Sequence, residues 1–141
     1  MVLTGHSSPI TATAHLSPVG ASGITATINF SDDGSTLTVT GTGAGMDPNT
    51  TDNHKSLVYD IGSPPKGPNA CKPGKPDDLS EDQMTLDDFW VVDGSGDGTL
   101  AADTNAYVPL KEIRTVSVRR GPSGAGPSLQ ACGLIVRTHT P

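Results

Sequence analysis

Asn53-His-Lys-Ser-Leu-Val-Tyr-Asp-Ile-Gly-Ser63 is the stretch on which the fold turns. Leu57, Val58, Tyr59 and Ile61 give it the apolar, β-branched and aromatic content of a strand, predicted over residues 55–61. Gly62-Ser63-Pro64-Pro65 stops it abruptly, because proline has no N–H to give to a ladder. Two alternating runs precede it and a cysteine follows it.

Working back toward the N-terminus, residues 10–16 (Ile-Thr-Ala-Thr-Ala-His-Leu) and 24–30 (Ile-Thr-Ala-Thr-Ile-Asn-Phe) alternate apolar and polar side chains. That period of two is the mark of a strand with one buried face. Pro18 to Gly23 turns the first run into the second. Asp32-Asp33-Gly34 is a hairpin signal, and residues 37–39 continue the meander. Working forward, residues 63–88 form one long irregular segment with five prolines between residues 64 and 76, and a single helical turn is predicted from Ser80 to Thr85. Strands follow at 89–92, 99–104, 115–119 and 130–137, with Asp93-Gly-Ser-Gly-Asp-Gly98 as a hairpin, about eight in all. An all-β sandwich or flattened barrel accommodates this order.

Composition agrees. The 141 residues make one domain; residues 1–9 read as a flexible N-terminus, or a remnant left where a leader was removed, and 10–141 as the barrel. Apolar residues are only 33% and aromatics 4%, so the core is thin and built from Val, Ile, Leu and Ala. Seventeen glycines and twelve prolines without a period demand many turns rather than long helices. A net charge of −6 disfavours a nucleic-acid partner, which needs clustered Lys and Arg. No apolar run approaches the ~18 residues of a membrane span.

Cys71 and Cys132 sit in no Cys-x-x-Cys or Cys-His metal spacing. A bridge between them would close a long loop and constrain the unfolded chain by about 4 kcal/mol in the entropy model. Such a bridge forms in an oxidising compartment, so the chain is expected to be secreted, periplasmic or displayed at the cell surface. The alternative is two separate buried thiols.

Taken together these segments resemble the copper/zinc superoxide dismutase family over nearly the whole chain. In that family the strand at residues 53–63 reads His-Gly-Phe-His-Val-His-Glu-Phe-Gly-Asp, and His54, Val58 and Gly62 match it. Residues 25–30 and 37–42 match its second and third strands. Arg114-Thr-Val-Ser-Val118 is similar to its Gly-Arg-Thr-Leu-Val-Val, and Ala131-Cys-Gly-Leu-Ile135 to its closing Ala-Cys-Gly-Val-Ile. Asn69-Ala-Cys71 stands where the family's loop cysteine pairs with the closing one. The resemblance implies an eight-stranded Greek-key β-barrel or sandwich with one intramolecular disulfide, Cys71–Cys132, and a structural hydrogen bond from His54.

The same resemblance removes the metal. Its four copper positions hold Leu57, Tyr59, Asp77 and Arg119 in this chain, none of them histidine. Leucine has no lone pair to donate and a guanidinium keeps its proton, so neither ligates. Of the zinc ligands only the aspartate position survives, as Asp87, and structural zinc wants four ligands. The loop that guides superoxide is cut to Gly121–Ser128, with no basic residue in it. A non-catalytic binding or structural module without cofactor is therefore expected. Its partner would be a secreted or cell-envelope protein, a sibling domain or a second copy. The competing expectation is a dismutase-related metalloprotein with copper or zinc at a displaced site, using Tyr59, Asp77 and His54.

Smaller features remain. Adjacent first and last strands would set His15 near His139, a pair whose ordinary role is a solvated surface. Residues 73–97 carry one lysine against eight carboxylates, and Asp93, Ser95 and Asp97 echo the start of a calcium loop whose twelfth position is Thr104 rather than Glu. A turn between strands is the plainer account. Asn49-Thr-Thr51 is a glycosylation sequon. A carbohydrate- or surface-binding role through the shortened loops draws little support from the single Trp90. Arg119 and Arg120 are expected to pair with carboxylates of the acidic loop and fill the hole left by copper, with Leu57 and Tyr59 packed around them.

Overall fold

A computed structural model describes residues 9–59, 83–86, 88–103, 107–120 and 128–139. It is all-β. Among the described residues ten strands run β1 Ile10–Pro18, β2 Thr25–Asp32, β3 Leu37–Ala44, β4 His54–Lys55, β5 Leu57–Tyr59, β6 Gln83–Thr85, β7 Val91–Val92, β8 Gly98–Asp103, β9 Thr115–Arg120 and β10 Ser128–His139. One 3-10 turn, Leu110–Glu112, precedes β9, and the described residues contain no α-helix. All pairings are antiparallel, in the order β6-β5-β9-β10-β1-β2-β3-β8-β7, with β4 also on β9. The sheet curls into a half-barrel. Its two ends are drawn together by backbone bonds from Trp90 to His54 and from Val92 to Thr50, both 2.9 Å.

The alternation in the sequence explains the concave face. Ala12, Ala14 and Leu16 of β1, Ala26, Ile28 and Phe30 of β2, and Leu37 and Val39 of β3 all point into one core, while the threonines between them face outward. At the middle of β3, Gly41 lies opposite Ile28 and Leu100 and leaves room for Trp90. A Cβ there would stand 2.9 Å from the indole. Trp90 is thus the plug of the core, fully buried, and no platform for a sugar.

Buried polar groups close the turns. Asp32 accepts hydrogen bonds from the Gly34 N–H (2.8 Å), the Leu110 N–H (2.8 Å) and the Tyr107 hydroxyl (2.9 Å), tying the β2–β3 hairpin to the 3-10 turn. Burying this carboxylate is tolerable because each oxygen has donors.

Several expectations need correcting. Residues 83–85 are not helical: they form β6 and pair with β5, Leu57 opposite Thr85 and Tyr59 opposite Gln83. A single helical turn satisfies few backbone groups, whereas a strand edge offers a ready ladder. The strand expected over 55–61 starts at His54 and breaks at Ser56, whose carbonyl instead receives the Leu86 N–H at 3.0 Å. Residues 60 and 61 lie outside the described residues, as do residues 1–8. His15 and His139 do not meet: the β1–β10 register sets His139 opposite Thr11, four residues along the strand from His15, which bonds Thr27 instead.

Candidate functional site

The face of β5 and β9 that turns away from the main core is the place to look for chemistry. On β5, Val58 points into the core, which by period two sends Leu57 and Tyr59 to the opposite face. On β9, Val116 and Val118 point inward, leaving Thr115, Ser117 and Arg119 beside Leu57 and Tyr59. An outward face of a sheet is ordinarily wet. Here Leu57, Tyr59 and Arg119 are each 1% exposed and Ser117 and Thr115 are fully buried.

These side chains bond to one another. The Arg119 Nε donates to the Tyr59 hydroxyl at 2.9 Å, and that oxygen lies 2.8 Å from the Ser117 Oγ. The Ser117 Oγ also accepts the Leu57 N–H at 3.4 Å. The guanidinium carbon stands 6.0 Å from the centre of the Tyr59 ring, at the limit of a cation–π contact. A cation buried this deeply needs donors matched by acceptors, and the phenol supplies one.

His54 braces the neighbouring corner. Its Nε2 accepts the Asp47 N–H at 3.1 Å, so its hydrogen sits on Nδ1 and goes to the Arg119 carbonyl, also 3.1 Å away. The ring is fully buried. Burial pushes its pKa below the ordinary histidine value, and the Arg120 cation adds to this; the bond to the Arg119 carbonyl and the nearby Asp47 only partly offset them. His54 is therefore a neutral strut with both nitrogens engaged.

Asp47 is the hub beside it. Arg120 grips its carboxylate with Nε (2.9 Å) and Nη2 (2.5 Å), and the Asn53 amide adds a bond at 3.1 Å. Burial works to raise the Asp47 pKa, but the Arg120 and Asn53 hydrogen bonds and the positive charge of Arg120 outweigh it, leaving it below the usual carboxylate value. Ser56, fully buried two residues after His54, accepts the Trp90 Nε1–H at 2.8 Å.

Three of the four positions that the dismutase resemblance equates with copper ligands are thus side by side: Leu57, Tyr59 and Arg119. The fourth, Asp77, lies outside the described residues, as do Asp87 and Cys71. Tested against copper, the donor set does not fit: Leu57 has no lone pair, the Arg119 guanidinium has no acceptor, the Tyr59 oxygen is held by Arg119 and Ser117, and both His54 nitrogens are bonded. Among the described residues no three His, Cys, Asp or Glu side chains converge.

The remaining candidates are placed as follows. Asp93 spends its Oδ1 on the N–H groups of Ser95 (2.8 Å) and Asp97 (3.0 Å), closing the β7–β8 turn on itself. Cys132 is buried on β10 opposite Ser17 and Ser117. Asn49 of the sequon is exposed in a turn. Arg120 pairs with Asp47, before β4; Asp77, Asp78, Glu81, Asp82 and Asp87 of the acidic segment lie outside the described residues.

The sequence concealed Asp47, Asn53, Ser56 and Ser117. Ser117 had a signal, since it stands two residues from Arg119 on a strand and so shares its face. Asp47 had none, because the turn that brings it to Arg120 is tertiary.

No protein-family model matches the chain, and no curated protein compared with it matches at a significant level.

Proposed function

We propose that this chain is a secreted barrel similar to copper/zinc superoxide dismutase whose metal strand has become structural, and that it serves as a non-catalytic binding or structural module. The observation that carries the proposal is the buried Tyr59–Ser117–Arg119 network at the positions equated with copper ligands. A site that once bound a metal by lone pairs is, on this reading, filled by a guanidinium held by the Tyr59 hydroxyl and by a leucine packed against Tyr59.

Strand order supports the ancestry. In the sheet β3 lies beside β8, not beside the next strand in sequence, while β4 and β5 cross to β9. A long-range return of this kind supports, as part of the proposal, a Greek-key connectivity. The proposal includes the Cys71–Cys132 bridge, with Cys132 buried on β10 as its fixed end. It also includes an oxidising, extracytoplasmic location. The natural partner is then a secreted or cell-envelope protein, a sibling domain or a second copy.

The test is metal analysis of protein purified without chelator, followed by a superoxide dismutation assay with added copper. Copper well below one per chain and no activity above free protein controls are expected. Stoichiometric copper with activity would retire the proposal in favour of a metalloprotein with a displaced site, in which Tyr59, His54 and Asp77 are the residues to mutate.

A further inference from the structure

We infer that Asn49 is the acceptor for an N-linked oligosaccharide and that Asn29, which stands in a second sequon, is not. Asparagine followed two residues on by Ser or Thr, with no proline between, occurs as Asn29-Phe-Ser31 and as Asn49-Thr-Thr51. The assignment rests on the extracytoplasmic location proposed above, because the donor, a lipid diphosphate-linked oligosaccharide, is met in a eukaryotic secretory lumen. In the transfer the Asn49 Nδ2 bonds to the anomeric carbon of the first sugar and gives up a proton. The bond from that carbon to the diphosphate oxygen breaks, and the lipid diphosphate leaves. Nothing is oxidised or reduced.

The folded chain has room for a sugar at Asn49. The residue is exposed in the turn between β3 and β4, and among the described residues it is the one non-glycine with positive φ, 57°. Asparagine adopts that left-handed backbone more readily than most residues. The turn is held by other groups. The Asn49 N–H donates to the Asp93 carbonyl and the Val92 N–H to the Thr50 carbonyl, both at 2.9 Å, and the Thr50 hydroxyl donates to the Asp47 carbonyl at 2.7 Å. Among the described residues neither the Asn49 amide nor the exposed Thr51 hydroxyl has a hydrogen-bond partner. A bulky, hydrated substituent on Asn49 therefore displaces no contact that the turn needs.

Asn29 is placed differently. It lies mid-strand on β2, opposite Thr13 of β1 and Thr40 of β3, and its Oδ1 accepts the Thr13 hydroxyl at 2.9 Å. The middle residue of its sequon, Phe30, is buried in the core. Order of synthesis widens the difference. Strands β1 to β3 are consecutive and complete within residues 10–44, and three strands with an apolar face can hold together. Hairpins close in about 1–10 μs, while synthesis adds about 5–20 residues per second. Asn29 is thus paired soon after its neighbours emerge. Val92 and Asp93, which fix the Asn49 turn, are made some 40 residues later, so residues 49–51 remain an open peptide for the transferase.

The full chain is secreted from cultured mammalian cells behind a cleavable leader. The leader supplies entry to the lumen whatever the natural location, so failure at Asn49 and failure of the metal-free reading are scored in separate assays. Intact mass is read before and after native digestion with peptide-N-glycosidase in heavy-oxygen water, and peptide mapping locates the asparagine that the enzyme converts to labelled aspartate. One oligosaccharide on Asn49, released without denaturant, is expected. Asn49→Gln and Thr51→Ala should each abolish it, Thr51→Ser should retain it and Asn29→Gln should leave it unchanged. Thr51→Ala keeps Asn49 and the bonds that hold its turn, and Trp90 fluorescence checks that each variant is folded. A folded, secreted chain without sugar at Asn49, a sugar on Asn29, or a sugar on Asn49 that survives Thr51→Ala would overturn the assignment.

Discussion

Removing one oxygen from the centre of the buried network is the sharpest test of what holds the β5–β9 face together. Tyr59→Phe keeps the ring, its packing against Leu57 and its shape, and deletes only the hydroxyl. In the parent that hydroxyl accepts the Arg119 Nε–H at 2.9 Å and bonds Ser117 at 2.8 Å, at a position 1% exposed. In the variant a charged donor and a serine hydroxyl each lose a partner where water has little access. Leaving a buried polar group unsatisfied costs about 1–3 kcal/mol. Arg119 keeps its other bonds, so a total of about 2–3 kcal/mol is expected rather than the full loss for an orphaned ion. A domain of this size has a stability of roughly 5–15 kcal/mol, so the midpoint of urea unfolding should drop visibly. The single Trp90, fully buried, reports the transition through its own fluorescence. Ser117→Ala completes a double-mutant cycle, and a coupling of about 1 kcal/mol or more is expected between residues sharing one network. A Tyr59→Phe variant within about 0.5 kcal/mol of the parent, the range of an ordinary surface substitution, would refute the claim that this network is buried and satisfied.

Stability should fall with acid through His54. Its folded pKa lies below the ordinary histidine value of 6.5, so between the two the unfolded chain binds a proton that the folded chain refuses. The contribution is complete above pH 6.5 and is lost as pH falls from there toward the folded value. Urea unfolding at pH 5 and 7.5 should show this loss, and His54→Asn should flatten it. Asp47, held below 3.8, adds a second loss only at more acid pH. Gly133→Ala should cost at least about 2 kcal/mol, since a Cβ there would sit 2.5 Å from the His15 carbonyl oxygen and force β10 off β1; thermal unfolding measures it. Arg120→Met should cost under about 1 kcal/mol, and less in high salt, because the Arg120 side chain is 53% exposed; a midpoint shift as large as that of Tyr59→Phe would contradict this. Cys132→Ala should remove about 2–5 kcal/mol if the proposed bridge exists, and reduction of the parent should match it; equal midpoints with and without reductant would count against the bridge.

Much of the sheet was legible in the residues because its first three strands alternate so plainly. Threonine out and Ala, Ile or Phe in is a pattern that only a half-buried strand satisfies, and β1, β2 and β3 fall where it predicts. The helical turn expected over 80–85 failed for a physical reason. Residues 83–85 are too few for local propensity to outweigh a neighbouring strand edge with unpaired backbone groups, and β5 is that edge. His15 and His139 show the same limit, since strand adjacency was a fair inference but register decides which residues face each other. Leu57, Tyr59 and Arg119 could be singled out as residues of the wrong chemistry for a metal, yet their common face and Ser117's place among them depend on how β5 and β9 pair.

Composition and period alone therefore determined an all-β chain with a thin aliphatic core, many turns and threonine on its outer face, because those follow from each residue's neighbours two positions away. Only the tertiary structure decided that an arginine stands buried against a tyrosine, that Asp47 clasps Arg120, and that Leu110, Ile113 and β10 form a groove. These contacts join residues 60 or more positions apart in two cases and a 3-10 turn to a distant strand in the third. Pairing at that distance is set by strand register and the curl of the sheet, which no local pattern encodes.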